Sequence, residues 1–128
     1  MGFSTFDYRR VVNTVGSRNN AAGTGAIAIS AASSNERGID TILMSNNDTI
    51  DHVAEFSIDT GTFLQIFSVL VPAGSGYGGV AVVELFNKLN IPTFQRINLA
   101  SGDALQVRLT VAMVGASVFL VQAIGGQY

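Results

Sequence analysis

His52 is the single histidine of the chain, and carboxylates surround it in sequence at Asp48, Asp51 and Glu55. An imidazole among carboxylates is the raw material of a general base or a metal ligand. Here it has no second histidine, no cysteine to share a metal, and no serine in a G-x-S-x-G nucleophile elbow. Asp48 and Thr49 suit the start of a turn, with His52 opening the strand beyond it, and that is the role expected. Asn46, Asn47, Asp48 and Asp51 also offer oxygens to a calcium ion. The D-x-[DN]-x-[DN]-G spacing with a distant glutamate is missing, so turn chemistry is expected there as well. The segment GSGYGG places Gly74, Gly76 and Gly79 in the G-x-G-x-x-G pattern of a dinucleotide fingerprint. Its physics would be phosphate held by backbone N–H groups at a helix N-terminus. The acidic residue needed about 20 positions on for the ribose is absent, and nothing suggests a crossover to a parallel strand. A wide glycine loop after Pro72 is the expectation, with no cofactor and no metal.

Charge excludes other chemistry. Nine acidic residues stand against seven basic ones, and six of the seven are arginines, with Lys88 the one lysine. A domain that neutralises phosphates carries a basic excess, so nucleic acid is not an expected partner. Arg9, Arg10, Arg18 and Arg37 concentrate positive charge in the first third, interspersed with Asp7, Glu36 and Asp40; solubility is the plain use for them and a weak contact with an acidic protein surface the alternative. Tryptophan is absent and the tyrosines are Tyr8, Tyr77 and Tyr128, a thin supply for a sugar-stacking platform. No apolar run reaches the 18 or so residues of a membrane helix, and no basic segment leads into an apolar stretch as a secretory signal would. With no cysteine there are no disulfides. An enzyme is the weakest expectation.

The elements that would carry these residues are short runs of Val, Ile, Leu, Phe and Thr between Gly, Asn and Ser clusters, the pattern of an all-β protein. At 128 residues the chain fits one domain, 1–128, with residues 1–10 an N-terminal arm or a first edge strand. The clearest strand covers 104–113, with Leu105, Val107, Leu109, Val111 and Met113 on one face and Gln106, Arg108 and Thr110 on the other. A Ser101-Gly102-Asp103 turn feeds it, and 118–124 reads as its hairpin partner. In 51–58, Ala54, Phe56 and Ile58 face inward, with Val53, Glu55 and Ser57 outward. In 39–44, Ile39 and Leu43 oppose Ile42 and Met44. Over 63–71, Phe63, Phe67, Val69 and Val71 face one way and Leu64, Ile66 and Leu70 the other, so both faces need cover. Residues 80–89 have the content of a short helix, stopped before Pro92.

Hydrophobic residues make up 48% of the chain and charged ones only 12%, where 25% is usual. Such a surface is expected to be buried by copies of the chain, in a homo-oligomer and most simply a trimer. Phe3, Phe6, Tyr8, Arg9, Arg10, Phe63, Phe67 and Tyr77 are the candidate contacts, being aromatics and arginines of the types enriched at interfaces.

From Thr41 to Tyr128 the order SNNDTIDHVAEFSID, SVLVPAGSGYGG, VAVVELFNKL, LASGDALQVRLTV and AIGGQY resembles small β-rich virion proteins of tailed bacteriophages. The resemblance implies a β-sandwich of jelly-roll type with one short helix. It implies a capsid decoration or cement protein on the surface of the virion head, with the major capsid protein as partner. A head–tail connector, a tail protein, or a receptor- or glycan-binding β module are the alternatives. No catalytic residue comes with the resemblance.

Overall fold

The structure, a computed structural model, describes residues 14–19, 24–31, 34–59, 65–89 and 96–127. The candidate contacts Phe3, Phe6, Tyr8, Arg9, Arg10 and Phe63 lie outside the described residues. Along the chain come β1 (Thr14–Asn19), β2 (Ile27–Ser30), β3 (Arg37–Asn46), β4 (His52–Asp59) and β5 (Gln65–Val71). Then follow β6 (Val83–Glu84), α1 (Leu85–Leu89), β7 (Ile97–Leu99), β8 (Ala104–Leu109) and β9 (Val118–Gln127).

Among the described residues every pairing is antiparallel. One sheet runs β1-β9-β3-β6, with β7 also on β3, and the other runs β2-β8-β4-β5. The described residues form an all-β fold with one short helix. Its pairing is nested: β1 lies on β9, β2 on β8, β3 on β6 and β7, and β4 on β5. The two sheets share one apolar core, in which Phe56, Ile29, Leu105 and Leu109 of one sheet meet Phe119, Ile42, Met44 and Val121 of the other. Each large side chain buried in this way contributes about 1.5–3 kcal/mol relative to exposure.

The strand over 104–113 is shorter than its alternation suggested. Leu105, Val107 and Leu109 are buried as expected, but β8 ends at Leu109, and Val111 is 54% exposed. From Thr110 the chain crosses to the other sheet. The expected hairpin of 104–113 with 118–124 is therefore not formed: β8 pairs with β2 and β4, and β9 with β1 and β3. Alternation identifies a strand but says nothing about its neighbour.

The faces of 39–44 also differ from expectation. Ile39, Ile42 and Met44 are all buried while Leu43 is half-buried. A bulge between Ile39 and Thr41 in the β3–β9 register inserts Asp40, which shifts the phase of alternation by one residue. Ser57, expected outward, is fully buried, beside a second bulge that skips Ile66 between Phe56 and Ser57 in the β4–β5 register. The helix of 80–89 is confined to α1. Val83 pairs with Met44 as β6, and the Glu84 carboxylate then accepts the Asn87 N–H at 3.0 Å, which starts the helix at Leu85.

Candidate functional site

The turn between β3 and β4 gathers the polar residues that could do chemistry and ties four parts of the chain together. Asn46 is wholly buried at the end of β3. Its amide N–H groups donate to the carbonyls of Ile50 at 3.0 Å and Val71 at 3.2 Å, and its Oδ1 accepts the Asp48 N–H at 2.9 Å. Its own backbone N–H donates to the Ser75 carbonyl at 2.9 Å. Asn47 Oδ1 takes the Val118 N–H at 2.6 Å, and Asp51 Oδ1 takes the Ala73 N–H at 2.9 Å. These side-chain oxygens thus accept protein N–H groups, the turn chemistry expected of them.

At the centre is the pair Asp48 and His52, both buried, with Nε2 of the ring 2.8 Å from Asp48 Oδ2. The same Oδ2 accepts the Val114 N–H at 2.9 Å, and Oδ1 accepts the Thr49 N–H at 2.7 Å. Burial, the largest influence on this carboxyl, pushes it towards the neutral form. The hydrogen bonds from His52, Val114 and Thr49, with attraction to the ring, together outweigh burial and hold its pKa down at about 2. A carboxylate can only accept, so Nε2 carries the proton of this bond. The opposite ring nitrogen, Nδ1, is buried with no partner among the described residues, and the ring meets Phe119 edge-on at 6.4 Å. His52 opens β4 and Asp48 starts the turn, as their sequence context implied. A general base must be able to meet a substrate, and the His52 ring is buried with its Asp48 partner.

The glycine loop is equally committed to itself. Ser75 N–H donates to the Pro72 carbonyl at 3.1 Å, Tyr77 N–H to Gly74 at 2.9 Å, Val80 N–H to Tyr77 at 2.9 Å and Gly76 N–H to Val80 at 2.9 Å. The N–H groups of Ser75, Gly76 and Tyr77, at the centre of the motif, are thus taken within the loop. β6 also intervenes before α1, so the loop does not sit at the helix N-terminus. Gly76 is required there: its φ is +86°, and a Cβ would lie 2.9 Å from Cβ of Ser45. Among the described residues no three His, Cys, Asp or Glu side chains cluster as a metal site.

Of the candidate contacts that are described, Tyr77 stands 40% exposed at the tip of this loop. Phe67 is half-buried on the inward side of β5, its ring 5.3 Å from that of Phe56. Arg37 is buried rather than free for a partner. Its guanidinium donates to Ser30 Oγ at 2.7 Å and to the carbonyls of Ala31 and Asp103, bolting β3 to both neighbours of the opposite sheet's corner. Burial lowers its pKa, with Asp103 acting in the other direction.

The exposed apolar side chains are elsewhere: Ile66 at 52% and Leu70 at 43% on the outer side of β5, with Ile50, Val111 and Val114 in the turns. Across the outer surface of the other sheet, Leu43, Ser45, Val82, Leu120 and Gln122 line an open groove of about 350 Å³. Ser75 and Val114, which complete the polar turn, carried no sequence signal, because their partners are 29 and 66 residues away from them at Asn46 and Asp48. Comparison with protein-family models, with curated proteins and with solved structures finds no match.

Proposed function

We propose that this chain is a structural protein of a tailed-phage virion, a decoration or cement subunit that sits on the outside of the head, assembles with copies of itself and performs no catalysis. The observation that carries this reading is the nested strand pairing. First with ninth, second with eighth and fourth with fifth is the order in which a jelly-roll sandwich is wound, an architecture found in viral capsid and lectin domains. The resemblance of residues 41–128 to phage virion proteins points the same way. Support also comes from the surface, where 12% charge and exposed Ile66, Leu70 and Tyr77 suit a face meant for protein contact. Such a subunit strengthens a shell by many modest contacts, each gaining from the symmetry of the lattice it sits on. The partner is the major capsid protein at junctions between its subunits.

The test is co-sedimentation with heads assembled from the capsid protein of the same genome. Saturable, stoichiometric binding to heads, weak binding to unassembled capsid protein and a higher temperature of head disruption are expected. Absence of saturable binding overturns the reading.

A further inference from the structure

We infer that β5 is an interaction edge, and that its partner is β5 of a second copy of this chain, the two strands pairing antiparallel about a two-fold axis near Val69. This rests on the self-assembly reading above and puts a two-fold dimer where composition suggested a trimer; its test uses no shell, so either can fail alone.

The direction of the free hydrogen-bonding groups follows from one bond. Thr110 N–H donates to the Val53 carbonyl at 3.2 Å, so the peptide groups of Val53 point towards β8. Sides alternate along a strand, so those of Ala54 and Phe56 point towards β5, where their register partners are Val69 and Phe67. The N–H and C=O groups of Ser68 and Leu70 therefore point away from β4. Among the described residues β4 is the only strand on β5, and no turn or loop hydrogen bond involves Ser68 or Leu70.

Exposed edges are normally blunted by lysine, proline, inward charges or bulges. β5 reads QIFSVLV, with no charge and no proline, and its one bulge, at Ile66, lies at its start. The stretch from Phe67 to Val71 is regular. A two-fold axis through Val69 sets Ser68 opposite Leu70 of the second copy and Leu70 opposite its Ser68. Both pairs then exchange both of their N–H···O bonds. On the outer face the exposed Leu70 side chains of the two copies become diagonal neighbours, and Val53 flanks each from behind. With no charge on the strand, like edges meet without repulsion, which is what a self-complementary contact requires. Five residues span about 17 Å, a small interface of the concentration-dependent kind in which main-chain bonds supply affinity.

Sedimentation equilibrium of the purified chain at up to about 100 µM is expected to show a monomer–dimer equilibrium, the monomer being 13.4 kDa. Hydrogen exchange should show the amides of Ser68 and Leu70 gaining protection as concentration rises, which side-chain contact alone would not produce. Leu70→Lys, at an exposed position, should keep the thermal midpoint and weaken association about tenfold or more by setting like charges close together. Ser68→Cys, in a chain with no other cysteine, should form a covalent dimer with a short bifunctional thiol reagent, while Asn98→Cys on β7 should not. A monomer throughout this range, a trimer, or a dimer in which Ser68→Cys fails to cross-link overturns the proposal.

Discussion

Asp48 shows how much one carboxylate can hold. It receives the His52 ring, the Val114 N–H and the Thr49 N–H within 2.9 Å, so three segments depend on its charge. Asp48→Asn must aim an amide N–H₂ at one of these donors, and at neutral pH it should cost about 1–3 kcal/mol, the range for a buried hydrogen-bonding group left unmatched. Because the folded carboxyl is held at about 2 against an ordinary 3.8, its contribution is complete above pH 4 and fades as pH falls towards 2. Urea unfolding at a series of pH values should therefore show the gap between wild type and Asp48→Asn narrowing through that window; a gap constant with pH would refute the assignment. The local half of this site was legible, since Asn46, Asp48 and Thr49 are turn residues by type. Val114 and Ser75 enter through their backbones, and a backbone group leaves no trace in residue identity.

The same divide governs the elements. β8 was legible because its apolar residues alternate and one face is buried. Leu109, 1% exposed, should lose about 2–5 kcal/mol on truncation to Ala. The exposed Thr110 should lose well under half as much, as thermal melts of the two variants will report. β3 was misphased because a bulge is set by two strands at once. Where Asp40 is inserted, β9 comes so close that a Cβ on Gly125 would lie 1.9 Å from the Gly38 carbonyl oxygen. Backbone cannot yield there as a flexible side chain would. Gly125→Ala should prevent folding or destabilise by more than about 3 kcal/mol, beyond the ordinary range for point changes, and a variant with an unchanged thermal midpoint would rule out this close approach. The terminal Gly-Gly pair was visible in sequence, but its reason lies on β3.

At the scale of the whole molecule, composition announced β structure and an unusually uncharged surface, while the winding of the sheets was hidden in contacts between residues far apart along the chain. β9 lies between β1 and β3 in its sheet, so a chain cut after Ser117 lacks the strand that joins them. Such a fragment should show no cooperative thermal transition; a sharp one would mean that the four-stranded sheet and its neighbours are stable alone.

That winding also gives the protein a schedule. As a ribosome delivers the chain, β1 emerges before its partner β9 has been synthesised, and β2 waits likewise for β8. Among the described strands only β4 and β5 are consecutive partners that can pair at once. Closing long loops before contacts reward them makes such topologies slow, with refolding in milliseconds to seconds rather than microseconds. During synthesis, apolar strands without partners are the species most exposed to chaperones and to misassembly. The yield of folded protein would thus be set by how quickly each newborn chain completes its outermost pair, β1 with β9.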